Sequence, residues 1–292
     1  MTATGSVIPA FVNTASGTAD DALAALERSG GFDVRPVAPD QLRAAVQDAR
    51  ATGATRILVA GGDGSIGTAA SVLLGSETEL AILPGGTLNH FARDLGIATD
   101  PDDALRIATR GTVRMVDVGM VNDALFLNTS SVGAYVRFVR FREYLEGRHI
   151  GYRMASALAA FRILFQFRLV HVTISVEGQE RVYRTPLVFI GAGERELKLP
   201  TLGNREPHGR SGLHVMVVRG RTRARALAIG LGAVARGVET MAKTPEFDSF
   251  LVDRCTISRR HGGPVAVDGE LASLDATLQY ELRRGALRVV CP

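Results

Sequence analysis

Apolar runs that read as strands alternate with helical stretches through the first third of the chain, and few folds accommodate that pattern. Val7–Val12, Phe32–Val37, Arg56–Ala60 and Glu79–Leu83 read as four strands. Asp20–Arg28, Gln41–Arg50 and Thr68–Leu74 fall between them with helical periodicity. Short connections between such elements predict a parallel sheet covered by helices on both faces. Pro101 suits the first turn of a further helix over Asp102–Thr109.

After about Val113 the regular alternation stops. Short β-rich runs follow at Val113–Val118, Leu125–Asn128, Val170–Val176, Pro186–Ile190, Leu213–Val218, Thr256–Ser258 and Thr277–Leu282. Helical segments at Val136–Leu145, Ala155–Phe165 and Arg223–Arg236 interrupt them. This predicts a second, mostly antiparallel domain. The fold class is therefore α/β, with a Rossmann-like parallel domain over residues 1–115 and a second domain over 116–285. The 292 residues exceed the roughly 100–200 of one domain, which agrees.

Hydrophobic content of 46% and charged content of 22% exclude disordered and fibrous classes. Met1–Pro9 has no basic cluster leading into an apolar core, so no secretory signal is expected. The best apolar stretch, Ala226–Ala235, stops at Arg236, well short of the roughly 18 residues of a spanning helix. Cys255 and Cys291 have neither metal nor redox spacing and read as reduced thiols. A cytoplasmic location is the resulting expectation.

The chemistry-bearing stretch is Ile57-Leu58-Val59-Ala60-Gly61-Gly62-Asp63-Gly64-Ser65, a buried strand running into glycines and then a helix. Ligands of open α/β sheets bind at the carboxyl ends of strands. Glycines there permit positive φ and close backbone approach, so N–H groups can face phosphate oxygens. Asp63 would repel phosphates unless a cation such as Mg²⁺ or a proton-accepting role resolves the conflict. Gly62-Asp63-Gly64-Ser65-Ile66-Gly67 also fits the dinucleotide fingerprint, but the next strand ends Ile82-Leu83-Pro84 without the ribose-binding acid. A Walker A loop is excluded because Lys198 and Lys243 are the only lysines. A plain tight turn remains the bland alternative.

A second loop, Leu83-Pro84-Gly85-Gly86-Thr87-Leu88-Asn89, again follows a strand and precedes a helix, from His90 to Leu95. Thr87 and Asn89 could donate to phosphate or ribose oxygens, and Thr87 could instead cap the helix. Asn13-Thr14-Ala15-Ser16-Gly17 reads as a third wall or as a simple N-cap region. Near the C-terminus, Asp268-Gly269-Glu270 sets two carboxylates around a glycine. They could accept a hydroxyl proton and order a metal, or merely form a hairpin turn.

Taken together these pieces resemble the diacylglycerol kinase catalytic family and its bacterial lipid-kinase relatives. The matching residues are Gly61–Ser65, Leu83–Arg93, Phe126–Gly133 and Val267–Glu270. The resemblance implies a Rossmann-like domain and a β-sandwich domain with an interdomain ATP site, and a last strand, near 286–292, returning to the first domain. It implies that Asp63 organises Mg–ATP and that Asn13, Gly61, Gly62, Gly64, Ser65, Gly86, Thr87 and Asn89 line the nucleotide. Asp268 and Glu270 would be the general base and its electrostatic partner. Positioning and charge neutralisation dominate phosphoryl transfer, and Arg93 is a further candidate for the latter. Thr14 stands where the family usually has proline, and His90 where aspartate is frequent. Arg210-Ser211-Gly212 replaces an Asp-Asp-Gly that binds a structural Mg²⁺ in many bacterial members, so no structural metal is expected. Gly191-Ala192-Gly193 lacks the usual asparagines.

Basic charge is concentrated. Seven arginines against two glutamates lie between Arg137 and Arg168, more than the whole formal charge of +4. Within Val136–Arg148, helical spacing predicts Arg137, Arg140 and Arg148 on one ridge beside Phe138, Phe141 and Leu145. Contact with the anionic inner face of a membrane is expected, against the alternative of a solvated helix. No nucleic-acid recognition motif accompanies the patch. The expected function is an ATP- and Mg-dependent lipid kinase acting on a hydroxyl of diacylglycerol or a related lipid. A catalytically silent nucleotide- or lipid-binding protein and an NAD kinase are the rivals, and a homodimer is a further expectation.

Overall fold

A computed structural model describes residues 7–165, 169–195, 205–206, 209–219 and 247–292. The helix expected at Arg223–Arg236 lies outside these, as do Lys198, Lys243 and Arg168. The chain divides into two compact units: one runs to Val118 and takes back Arg283–Pro292, and the other is Gly119–Leu282.

In the first unit the elements are β1 (Ile8–Asn13), α1 (Ala19–Ser29), β2 (Phe32–Val37), α2 (Leu42–Ala51), β3 (Arg56–Gly61), α3 (Asp63–Leu73), β4 (Glu79–Pro84), α4 (His90–Asp94), α5 (Pro101–Arg110) and the start of β5 (Thr112–Val121). The sheet order is β2-β1-β3-β4, all parallel. Because β1 is flanked by β2 on one side and β3 on the other, the winding reverses between β1 and β3. Doubly wound sheets bind ligands outside the strand ends at such a switch point. Ile57 through Ala60 are buried without a break, as a strand covered on both faces requires. Asp100 caps α5 by accepting the Asp103 N–H at 3.0 Å, with Pro101 opening the helix. The sequence places the third helix at Thr68, but α3 begins at Asp63. The glycine loop is thus the helix terminus itself.

The second unit adds β6 (Ala124–Phe126), β7 (Thr129–Gly133), α6 (Ala134–Glu146), α7 (Tyr152–Phe165), β8 (Val170–Val176), β9 (Gln179–Thr185), β10 (Leu187–Ala192), β11 (Leu213–Val218), β12 (Phe247–Val252), β13 (Arg254–Arg259), β14 (Gly263–Val267), β15 (Glu270–Leu274) and β16 (Thr277–Cys291). One antiparallel sheet has the order β12-β11-β10-β7-β14-β15, and the other carries β16-β13-β8-β9. Val188, Ile190 and Val215 from the first and Ile174, Ile257 and Leu278 from the second share one buried cluster. This is a β-sandwich core. Beyond Leu282, β16 returns to the first unit, where Val289 pairs in parallel with Leu80.

Candidate active site

The loops after β1, β3 and β4 are fastened to one another in the first unit. Gly85 N–H donates to the Gly61 carbonyl at 2.9 Å, extending the β3–β4 pairing past the strand ends. The hydroxyls of Ser16 and Thr18 donate to the Gly85 carbonyl at 2.8 and 3.0 Å. Asn13 Nδ2 donates to Ser65 Oγ at 2.8 Å. The segment after β1 is therefore a third wall of the platform. Thr18 directs its hydroxyl at Gly85 and makes no side-chain cap for α1.

None of Gly61, Gly62, Gly64, Gly85 and Gly86 has positive φ, so conformational freedom is not what these positions use. Close approach is. A Cβ on Gly86 would stand 2.7 Å from the Gly62 Cα, and one on Gly85 3.3 Å from the Gly61 Cα. A Cβ on Gly61 would meet Ser65 Oγ at 2.5 Å. Only glycines let the two backbones lie this close, and the resulting surface is built largely of peptide groups.

Asp63 has a structural explanation that needs no cation. Its Oδ2 accepts the His90 N–H at 3.2 Å and its Oδ1 the Phe91 N–H at 3.3 Å. A carboxylate from the first glycine loop thereby occupies the N-terminus of α4, in the second loop, where orphan donors and helix polarity favour negative charge. The residue at the N-cap position is Asn89, in the left-handed region at φ 49°, and Thr87 is exposed, so capping by Thr87 does not occur. The buried Asn89 amide clamps Gly86, accepting its N–H and donating to its carbonyl, both at 2.8 Å.

A second polar centre lies in the sandwich unit. Asp268 and Gly269 form the β14–β15 turn with φ of 47° and 87°, the double positive φ of a type I′ hairpin. The turn reading of Asp268-Gly269 is right, and it also delivers a carboxylate into the protein. Asp268 Oδ1 accepts the N–H groups of Asn128 and Thr129, both at 2.8 Å, and Oδ2 accepts that of Leu127 at 2.6 Å. Burial pushes its pKa up to about 6, while these N–H groups and the charge of Arg195 pull it down. Glu270 is exposed at the start of β15.

Sequence reasoning missed Arg195. Its side chain is only 3% exposed and donates through Nη2 to the Ala192 carbonyl at 2.6 Å and the Leu127 carbonyl at 3.4 Å. A Cβ on Gly191 would meet Arg195 Cγ at 2.4 Å, so the glycine there makes room for the arginine. The Arg195 N–H donates to His214 Nδ1 at 3.0 Å, leaving Nε2 to donate to Ser249 Oγ at 2.7 Å. Arg142 also reaches the hairpin, donating to the Gly269 carbonyl at 3.3 Å. Arg210 pairs with Glu194 at 3.2 Å, and that guanidinium holds the Glu194 carboxyl low.

The chain thus combines a doubly wound sheet, whose three loops are fastened together, with a β-sandwich unit. Residues 9–121 match the family model of the diacylglycerol kinase catalytic domain. Over 93 residues the chain is 42% identical to a protein of Pseudomonas aeruginosa named "Probable lipid kinase YegS-like", covering 31% of this chain and 30% of that one. A protein of the same name from Chromohalobacter salexigens is 41% identical over 91 residues, 30% of this chain and 29% of that one. The matched stretch thus spans about 30% of the length of these curated relatives. A solved structure titled a diacylglycerol kinase from Bacillus anthracis superposes with a TM-score of 0.68 at 20% identity, covering 98% of this chain and 97% of that one. Another from that organism reaches 0.76 at 23% identity with the same coverage, and both likenesses concern the fold.

Proposed function

We propose that this protein transfers the γ-phosphoryl group of ATP to a hydroxyl of diacylglycerol or a related lipid. The observation that carries the reading is the three-loop platform at the switch point, all of it inside the segment matching the diacylglycerol kinase catalytic domain. Its peptide surface, lined by Asn13, Gly61, Gly62, Gly64, Ser65, Gly86 and Thr87, suits phosphate oxygens, with Asn89 holding the second loop in shape. Asp63 suits a nucleotide-borne Mg²⁺. Each of its oxygens accepts one long N–H bond and keeps lone pairs. Among the described residues no cluster of three or more metal-ligating side chains exists, so such an ion would take most of its oxygens from the triphosphate and water. When bound, Mg²⁺ neutralises phosphate charge.

In the reaction, the bond from the γ-phosphorus to the β–γ bridging oxygen breaks and one to the lipid oxygen forms. The hydroxyl proton passes to Asp268 Oδ2, the oxygen holding a single hydrogen bond. A pKa of about 6 leaves this carboxylate ionised at neutral pH yet more basic than an ordinary aspartate. Glu270 adds negative charge near the end of the same turn.

A silent nucleotide-binding protein is the second reading, favoured by the hydrogen bonds that account for Asp63, Asn89 and Asp268 without chemistry. Incubation with labelled Mg–ATP and vesicles carrying a panel of hydroxyl-bearing lipids separates the two. The kinase yields labelled phospholipid. ATP binding with no product across the panel selects the silent reading.

A further inference from the structure

Over Met154–Phe161, helix α7 shows the reverse of the pattern of a water-exposed helix. Among the α7 residues with described side chains, Ala155 and Ala159 are buried, whereas Met154, Leu158 and Phe161 are 61%, 42% and 63% exposed. The spacing i, i+4, i+7 sets these three large side chains on one stripe. Ala155 and Ala159 thus face inward, while Met154, Leu158 and Phe161 point outward. Tyr144 and Tyr152, also exposed, lie at the facing ends of α6 and α7.

The surroundings of the stripe are cationic. Arg162 lies over the Phe141 ring at 4.3 Å and Arg148 over the Tyr144 ring at 4.7 Å. Arg140 is exposed on α6. The expected ridge needs correcting here. Helix α6 ends at Glu146 with Gly147 as its cap, so Arg148 stands beyond the helix and does not continue the row of Arg137 and Arg140. Two of the apolar residues expected beside that ridge face inward: Leu145 is buried, and Phe138 packs with Val136, Val139 and Ala266.

We infer that α7 is the membrane-docking element, inserting Met154, Leu158 and Phe161 into the acyl boundary of an anionic bilayer while the flanking arginines meet lipid headgroups. Apolar side chains rimmed by guanidinium groups match such a surface. A second copy of the chain fits worse, because two-fold pairing of this face would set arginines against arginines. The inference does not depend on catalysis, since vesicle binding needs neither ATP nor turnover.

The test is co-sedimentation with vesicles of phosphatidylcholine containing phosphatidylglycerol, and with pure phosphatidylcholine. The wild-type protein is expected to bind the anionic vesicles, and the double variant Leu158→Ser, Phe161→Ser to bind them roughly tenfold or more weakly. Far-UV circular dichroism and the unfolding transition of the variant, measured beside the wild type, establish that the comparison is between folded proteins. The chain contains no tryptophan, so Phe161→Trp supplies a second measurement free of background emission. Its emission should shift to the blue on adding anionic vesicles and be quenched by brominated acyl chains. Unchanged binding by the double variant, an unshifted emission from the Phe161→Trp protein, or concentration-dependent dimerisation without vesicle binding would each overturn the inference.

Discussion

Gly62 and Gly86 meet backbone to backbone at the ends of β3 and β4, so closely that a Cβ on Gly86 would fall 2.7 Å from the Gly62 Cα. Neither partner is a side chain that could swing aside. Gly86→Ala must therefore separate the two loops, at a cost of roughly 1–3 kcal/mol. A lower unfolding midpoint together with weakened ATP binding is expected. Gly17→Ala is the control, because nothing lies within 4 Å of a Cβ there.

Asp63 ties the first loop to the helix of the second. Asp63→Ala removes the carboxylate from the α4 N-terminus and should cost roughly 0.5–2 kcal/mol, as loss of a helix cap does. If Asp63 also serves Mg–ATP, turnover should fall much further than this loss of stability explains. Measuring kcat well below the unfolding temperature separates the two effects.

Asp268→Asn keeps the size of the side chain but turns an amide NH₂ toward backbone donors. Three N–H groups now share the carboxylate, and the amide leaves at least one of them unpaired. A loss of roughly 1–3 kcal/mol is expected in denaturant unfolding at neutral pH.

The raised pKa of Asp268 has consequences in two directions. As a proton acceptor it must be ionised, so kcat/KM should fall as pH drops through about 6. For stability the sign is opposite. The folded protein holds this proton more tightly than the unfolded chain, whose aspartate titrates near 3.8. The contribution is full below that value and lost as pH rises through about 6. Arg195 lowers the Asp268 pKa, so Arg195→Met should move the acid limb of the kcat/KM profile to higher pH. An unmoved limb would show that Arg195 only props the backbone carbonyls it contacts.

Much of this was legible in the chain because the signals are local. The apolar runs of β1, β3 and β4 are covered on both faces, so burial and strand propensity agree along each one. Asp268-Gly269 announces its own turn because both residues tolerate positive φ. What stayed hidden depends on distant partners. The strand Gln179–Thr185 is polar, because its outward residues face solvent at a sheet edge. The Asn89 amide serves Gly86, and Asp63 serves His90 and Phe91, through contacts that exist only once two loops have docked. Arg195 looks like an ordinary surface cation until Gly191 opens a slot for it. The outward stripe of α7 was unreadable for a different reason: its periodicity fits a buried face, and only the packing of Ala155 and Ala159 shows which side is in.

The central claim is that Asp63 and Asp268 both serve phosphoryl transfer to a lipid, and single-turnover label transfer from Mg–ATP to diacylglycerol in mixed vesicles tests it most directly. With folded proteins, Asp268→Asn should slow transfer by roughly 10²–10⁴-fold, the range for losing a positioned acid–base group, while still binding ATP, and Asp63→Asn should slow it together with weaker Mg–ATP binding. Wild-type rates in the Asp268→Asn protein would contradict the account.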